Sequence, residues 1–224
     1  MSPNLKVSTT LIRNVPLFAD LPDNELALLA NVIQRSALKK GIRVVNEGDP
    51  GSALYIVISG RLKVTISNKT GKEVVLAILE QGDYFGEMAL LDSGTRSACV
   101  ITSEASELLV LGKEDFLKTL LSNPKLSTAM MSCLVQRLRE ANKKIGNLAL
   151  LDVYGRVASS LHDIAEVKDG QRIVPKNITR QDIADMVGAS REMVGRVLFE
   201  LRARGLIETS GRTIKLVEVA DGLS

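Results

Sequence analysis

A glycine, a glutamate, an arginine and a serine in the first half of the chain could together bind a phosphate group. Gly86 and Glu87 open a short apolar segment, and Arg96 follows nine residues after the glutamate. A glycine before a helical turn presents free backbone N–H groups, which favour an anion. The guanidinium of Arg96 suits a pair of phosphate oxygens, Ser97 adds a hydroxyl, and Glu87 can accept a sugar hydroxyl. A structural Arg–Glu salt bridge that closes a corner of the fold is the alternative.

A second charged cluster, in the last quarter of the chain, could read base pairs. Ser190 is a good N-cap for a helix, and one face of that helix carries Arg191, Glu192, Gly195 and Arg196. An arginine can bond O6 and N7 of guanine, and a glutamate can accept from the cytosine amino group. The glycine lets the backbone come close to a ligand. The opposite face is expected to turn toward a core and carries Met193, Val194, Val197 and Leu198. An ordinary solvated charged face is the alternative.

The elements expected around this second cluster form a helix-turn-helix. Thr179 is a good N-cap for a first helix that ends at Val187, and a link of three residues, 188–190, contains a glycine. In this motif the second helix enters the major groove, and two predicted strands around Ser210 would form a wing. Four further arginines are candidates for phosphate contacts, namely Arg180, Arg202, Arg204 and Arg212.

A narrow apolar stripe lies on a long helix predicted at 124–151, between the two clusters. Its members alternate spacings of four and three, as in a coiled coil, and are Leu134, Leu138, Ala141, Ile145 and Leu148. A stripe this narrow favours one partner helix, most simply the same helix of a second chain in a two-fold dimer. Packing inside its own domain is the alternative.

The segments that must position the first cluster read as strands. Short apolar runs separated by glycines fill 42–112 and predict an antiparallel β-barrel or roll. A helix is expected before them, starting near Pro22 and ending at 39–41. After the long helix, a further helix is expected over 153–167, followed by a turn at 168–171.

Composition excludes several classes of protein. Hydrophobic residues make up 45% of the 224 residues and charged residues 25%, which is typical of a soluble globular protein. No apolar run is long enough to cross a membrane. Cys99 and Cys133 lack CxxC spacing and indicate a reducing compartment, so we expect a cytoplasmic protein. With one histidine, no metal-ligand cluster and no nucleophile–base spacing, we expect neither an enzyme nor a metal site. The net charge of +3 means that DNA binding must depend on where the charges lie.

The chain resembles the cyclic-AMP receptor protein and FNR (Crp-Fnr) family of bacterial transcription regulators over nearly its whole length. Residues 85–98 resemble the family's phosphate-binding cassette, 146–153 its interdomain hinge, and 178–196 its helix-turn-helix. The resemblance implies an α+β fold: an N-terminal, jelly-roll-like cyclic-nucleotide-binding β-roll at 1–123, a dimerisation helix and hinge at 124–151, and a C-terminal winged helix-turn-helix at 152–224.

The same resemblance implies functional roles. Arg96 and Ser97 would hold a cyclic phosphate, Glu87 the ribose 2′-hydroxyl, and the turn residues Gly86, Met88 and Ala89 would line the same site. The trio Arg191, Glu192 and Arg196 implies palindromic sites of the TGTGA type in double-stranded DNA, bound by a homodimer that contacts RNA polymerase. No covalently bound cofactor is implied.

The chain departs from the family's cyclic-AMP reader on the central helix. That reader carries a Thr-Ser pair which grips adenine across the dimer, and the aligned residues here are Ala141 and Asn142. Cyclic AMP is the first expectation for the effector, with cyclic di-GMP, or DNA binding without a ligand, as alternatives. The family's iron–sulfur branch uses an N-terminal cysteine cluster, absent from 1–35, and the single His162 lies beyond the hinge, against a haem. A cyclic-nucleotide-binding regulatory subunit without a DNA role is the remaining alternative.

Overall fold

A computed structural model describes residues 7–69, 71, 73–176, 178–211 and 213–217. The chain divides between Leu138 and Arg139 into two compact units. Along the described chain, none of the helices is both long enough and apolar enough to span a bilayer. The sequence-based expectation of an α+β protein with a β-roll, a long helix and a winged helix-turn-helix is confirmed.

The first unit contains two antiparallel sheets of four strands and several helices. Its elements are α1 (Thr9–Arg13), a 3₁₀ turn (Pro16–Phe18), α2 (Asp23–Val32), β1 (Gln34–Leu38), β2 (Arg43–Val45), β3 (Ala53–Ser59), β4 (Leu62–Ser67), β5 (Glu73–Leu79), β6 (Tyr84–Phe85), α3 (Met88–Leu91), β7 (Cys99–Thr102), β8 (Ser106–Gly112), α4 (Lys113–Ser122) and the start of α5 (Pro124–Leu150). The strand orders are β1-β8-β3-β6 and β2-β7-β4-β5.

Alternation along β3 shows how the sheet that contains it is covered on both faces. Leu54 and Ile56 join a core with the helices, whereas Val57 joins a second core formed by residues of both sheets. Successive side chains of a strand point to opposite faces, so one apolar strand can serve two cores. The N-terminal part of α5 completes the helical core through Leu126 and Met130.

The expected helix over 22–41 is wrong in its second half. The helix ends at Val32, Ile33 turns extended and is buried, and residues 34–38 form β1, paired with β8. Most side chains of β1 are exposed, so its sequence has no clear alternation. Tertiary pairing with β8 therefore decides the conformation of this segment.

The second unit packs three helices against one small sheet. It begins with the end of α5 and continues with α6 (Val153–Ile164), β9 (Glu166–Lys168), β10 (Gln171–Val174), α7 (Arg180–Val187), α8 (Arg191–Ala203), β11 (Ile207–Ser210) and β12 (Thr213–Leu216). The sheet order is β11-β12-β10-β9. The helix expected to reach Val167 ends at Ile164, because the next residues pair with β10 as a hairpin around Asp169 and Gly170, both with positive φ.

Candidate anion pocket and nucleic-acid interface

Arg96 is buried and bonded to backbone carbonyls rather than to a carboxylate. Its Nη1 donates to the carbonyl of Gly86 at 2.7 Å and its Nη2 to the carbonyl of Ala53 at 2.8 Å. The guanidinium carbon lies 5.7 Å from the centre of the Tyr55 ring, within the range of a cation–π contact. The backbone N–H of Arg96 donates to Asp49 at 2.8 Å. The fold therefore fixes this cation at the start of β3.

Gly86 is required by two features of this arrangement. Its φ is +90°, which side chains rarely adopt. A Cβ added there would lie 2.3 Å from Nη1 of Arg96 and 3.0 Å from the Ala53 carbonyl. The glycine thus allows the arginine to reach its two acceptors.

Glu87 forms the Arg–Glu salt bridge of the sequence-based alternative, but with a different arginine. Its Oε1 accepts from Nη1 of Arg137 at 2.7 Å, and the carboxylate is buried. Arg137 also donates to the carbonyl of Tyr84 and lies 4.7 Å from the centre of that ring. Burial alone would lower the pKa of Arg137, but Glu87 and its other neighbours raise it above the usual value. The Oε2 atom of Glu87 has no partner among the described residues.

Arg137 is the pocket residue that sequence reasoning missed. It lies on α5, fifty residues from Glu87, and the sequence showed it only as one of several charges beside the apolar stripe. No local pattern could have identified the pair, because the first unit's fold alone brings α5 to the cassette.

The remaining cassette residues surround the same turn. Met88 and Ala89 occupy the first positions of α3, where backbone N–H groups have no partner within the helix. Ala89 is buried and packs on Gly51, where an added Cβ would lie 2.7 Å from the alanine Cβ. Ser97 is exposed, with its hydroxyl 3.9 Å from the sulfur of Met88. The structure thus brings together the six predicted cassette residues.

The other two predicted ligand residues lie in the second unit. Ala141 and Asn142 are on α5 and both are exposed. The apolar stripe is also largely uncovered, with 61% of Leu138, 64% of Ile145 and 60% of Leu148 exposed. The alternative was that this stripe packs inside its own domain. It does not hold for these three residues, because each of them is mostly exposed.

The helix-turn-helix has the predicted caps. The Thr179 hydroxyl accepts from the backbone N–H of Asp182 at 3.1 Å, and the Asp182 carboxylate accepts from that of Thr179 at 2.8 Å. This capping box starts α7. Gly188 ends α7 with φ +65°, and the Ser190 hydroxyl accepts from the Met193 N–H at 3.2 Å, which starts α8.

The two faces of α8 separate as predicted, with one exception. Val194, Val197 and Leu198 are buried, whereas Arg191, Glu192 and Arg196 are exposed. Met193, expected to face the core, is 41% exposed, because core packing on α8 begins one residue later. A Cβ at Gly195 would have no neighbour within 4 Å.

Glu192 is set up to accept hydrogen bonds. A backbone hydrogen bond, the Ser190 hydroxyl and the nearby arginines hold the pKa of Glu192 below its usual value. The side chain is fully exposed and ionised at neutral pH, so it can accept from a donor such as a base amino group.

A cationic cleft of about 760 Å³ adjoins this helix, between α7, α8 and the β11–β12 hairpin. Its described lining includes Lys176, Arg180, Arg191 and Arg202, none of which forms a salt bridge with a described residue. The lining also includes Thr179 and Gly195. The predicted phosphate-binding Arg212 lies outside the described residues.

Arg156 ties the hinge to the turn of the motif. Its Nε donates to the carbonyl of Val187 and its Nη1 to that of Leu151, both at 3.0 Å. The arginine thus connects the residue after α5 with the end of α7. Sequence reasoning did not identify this role.

Both halves of the chain match known families. Residues 35–123 match the cyclic nucleotide-binding domain family, and residues 155–221 match the Crp-like helix-turn-helix domain family. The cyclic AMP receptor protein of Thermus thermophilus is 34% identical over 209 residues, covering 93% of this chain and 95% of that protein. The cAMP-activated global transcriptional regulator CRP of Salmonella typhimurium is 37% identical over 178 residues, covering 76% and 83%.

One relative of known structure responds to a different effector. The c-di-GMP responsive global regulator CLP of Xanthomonas campestris superposes with a TM-score of 0.72 at 30% identity, covering 88% of this chain and all of that one. These relatives are transcription regulators and not enzymes. The chain therefore belongs to the Crp-Fnr family and is a DNA-binding transcription regulator with a cyclic nucleotide-binding domain.

Proposed function

We propose that the protein is a homodimeric, ligand-gated regulator that binds palindromes of the TGTGA type, with a cyclic nucleotide, first cyclic AMP, as its effector. The observation that carries this proposal is the capped helix α8, which exposes Arg191, Glu192 and Arg196 around an open Gly195. We assign effector binding to 1–123, dimerisation to 124–151 and DNA binding to 152–224. Because its target is chromosomal DNA, the protein works in the bacterial cytoplasm and acts with RNA polymerase.

On DNA, the two clusters of polar residues have separate tasks. Arg191 and Arg196 read guanines and Glu192 reads a cytosine from the major groove, while Gly195 allows close approach. Phosphate contacts fix the register, and we assign them to Thr179, Arg180, Ser190, Arg202 and Arg212.

Dimerisation follows from the exposed stripe on α5. Leu138, Ile145 and Leu148 lie on one line and are mostly exposed, and the same stripe of a second copy is complementary to them. A two-fold dimer places two recognition helices against half-sites about 34 Å apart, one turn of DNA. The palindromic target reflects this symmetry.

The effector pocket is the cassette at the start of β3. Arg96 and Ser97 hold the cyclic phosphate with the amides of Met88 and Ala89, and Glu87 accepts a ribose hydroxyl. The buried Oε2 of Glu87, which has no described partner, supports this role because buried polar atoms are normally bonded. Through Glu87 and Arg137 the occupied pocket acts on α5. A preference of a few kcal/mol for one dimer arrangement is enough to switch DNA binding.

Two residues of the central helix bear on which nucleobase the effector carries. The alanine at 141 has no hydroxyl for adenine, and Asn142 offers an amide in its place. Cyclic AMP is named for the Thermus and Salmonella relatives, and cyclic di-GMP for the Xanthomonas regulator. Cyclic di-GMP is therefore the second candidate, and a dimer that binds DNA without ligand is the third.

Titration calorimetry with cyclic AMP, cyclic GMP and cyclic di-GMP tests the effector, with DNA binding measured in parallel on a TGTGA palindrome and a scrambled duplex. We expect one nucleotide to bind and to raise affinity for the palindrome alone. Equal palindrome binding with and without every nucleotide would favour the ligand-independent dimer. Absence of duplex binding in every state would favour a regulatory subunit without a DNA role.

Sedimentation of the double variant Leu138→Glu/Ile145→Glu tests the dimer. The proposed dimer buries Leu138 and Ile145, and a carboxylate at each of these positions would cost several kcal/mol per dimer. We therefore expect monomers and at least a hundredfold loss of affinity for the palindrome. Leu121→Glu is the matched control, because Leu121 is 84% exposed but lies on α4. A double variant that sediments like the wild type would refute the seam.

A further inference from the structure

Phe199 is the unusual residue of the cationic cleft. Its side chain is 75% exposed, whereas Phe18, Phe85 and Phe116, the other three phenylalanines of the chain, are buried. It lies on α8 and lines the cleft. Because aromatic side chains are normally buried, an exposed one inside a cationic cleft suggests a ligand with apolar surface.

The position of Phe199 on α8 relates it to the base-reading residues. Arg191, Gly195 and Phe199 follow each other at spacings of four, so they share one face of the helix. Phe199 lies about 6 Å along the axis beyond Gly195. Arg202 follows less than one turn later and lines the same cleft. The phenylalanine thus lies between the base-reading turns and a cation suited to phosphate.

The charges around Phe199 define the occupant. Lys176 and Arg180 line the cleft from the start of α7 and the segment before it, and none of the described residues that line it is acidic. A polyanion is therefore favoured over a protein partner with an ordinary mixed surface. The polyanion must also present carbon atoms between its charges, as a sugar–phosphate strand does.

We propose that Phe199 packs on a deoxyribose of the DNA backbone, next to phosphates held by the cations of the cleft. This inference rests on the proposed function, since it needs α8 in the major groove. Such a contact adds affinity that is independent of salt, because burial of carbon surface releases no counterions. Arg202, by contrast, contributes through a phosphate.

The salt dependence of palindrome binding separates these two contributions. For the full chain with its best nucleotide, we measure affinity between about 50 and 200 mM salt. Phe199→Ala is expected to weaken binding about tenfold at every salt concentration, giving a line parallel to the wild type. Arg202→Gln is expected to reduce the slope by about 0.9 for each phosphate that the arginine neutralises in the wild type. Phe199→Leu, which keeps apolar surface, is the matched control and retains most of the affinity.

Four results would overturn the contact. Equal affinity of Phe199→Ala and wild type at all salt concentrations would remove it, while leaving the proposed function intact. A changed slope for Phe199→Ala would show that the residue acts through the cations. If uracil in place of thymine weakened the wild type and abolished the effect of Phe199→Ala, the partner would be a thymine methyl. Failure of the wild type itself to bind any duplex would overturn both this inference and the proposed function.

Discussion

The pocket and the recognition helix each combine arginine with glutamate, and they treat these charges in opposite ways. In the pocket, Arg96 is bonded to two carbonyls and Glu87 to Arg137, and the two cassette residues are buried. On α8, Arg191 and Arg196 are exposed and form no salt bridge with a described residue. The pocket charges are therefore bonded within the fold as well as predicted to bind a ligand, whereas the arginines of α8 have no such partner in the described chain.

Breaking the buried ion pair is expected to have the largest effect on stability. Arg137→Met leaves the Glu87 carboxylate buried without its cation, which costs about 3 kcal/mol of unfolding free energy. Chemical denaturation measures this cost. The double variant Arg137→Met/Glu87→Gln removes the stranded charge and should recover part of the loss.

If the single variant Arg137→Met were as stable as the wild type, the buried pair would not stabilise the fold. The contrast between the bonded charges of the pocket and the unbonded charges of α8 would then be wrong. Lys143→Met is the matched control in the second unit, because Lys143 also pairs with a carboxylate, Asp163, at 2.6 Å, but both partners are well exposed. Surface pairs of this kind contribute at most about 1 kcal/mol.

The same substitution at two arginines gives the next largest effect. Arg96→Leu leaves two carbonyls without a donor, so we expect a loss of about 2 kcal/mol in stability together with loss of nucleotide binding. Arg196→Leu is expected to leave stability and nucleotide affinity unchanged and to weaken palindrome binding by at least tenfold, through loss of a bidentate base contact.

Thermal unfolding, calorimetry and DNA titration on both variants measure the three quantities. Unchanged nucleotide affinity and unchanged nucleotide-dependent DNA binding in Arg96→Leu would show that the pocket is wrongly assigned. A fall in nucleotide affinity in Arg196→Leu would remove the distinction between the two regions.

How well the sequence predicted each region depends on how local its signals are. Both ends of α7 and the start of α8 were predictable because Thr179, Gly188 and Ser190 act on neighbouring residues, and the structure has these caps. The β-roll between residues 42 and 112 was also predicted, since apolar runs ended by glycines are local patterns.

Two of the misses, Arg137 and β1, have a common cause in contacts distant along the chain. Arg137 meets Glu87 only through the fold of the first unit, and β1 exists because β8 supplies its partner. The short β9 has three exposed residues, which gave no alternation. The roles of the cassette and recognition residues stay predictions, to be decided by the variants described.

Substitution of one glycine in each region is expected to change stability by smaller amounts and in opposite directions. At Gly86, an alanine Cβ would lie 2.3 Å from Nη1 of Arg96 with φ at +90°, so Gly86→Ala should destabilise the protein by about 1–3 kcal/mol. At Gly195, in the middle of α8, a Cβ has no neighbour within 4 Å. Gly195→Ala should therefore stabilise the protein by about 0.5–1 kcal/mol, through helix propensity.

The two glycine variants should also differ in function. Gly195→Ala places a methyl group where the backbone would approach DNA, so palindrome affinity should fall although stability rises. Gly86→Ala should reduce nucleotide affinity, because Arg96 must shift away from the added carbon. Chemical denaturation measures the stability of both variants, and titrations with DNA and with nucleotide measure their two affinities. If Gly195→Ala raised stability and left palindrome affinity intact, the open space at this glycine would not be the surface that meets DNA. The assignment of the exposed α8 charges to base reading would then lack the structural observation on which it depends most.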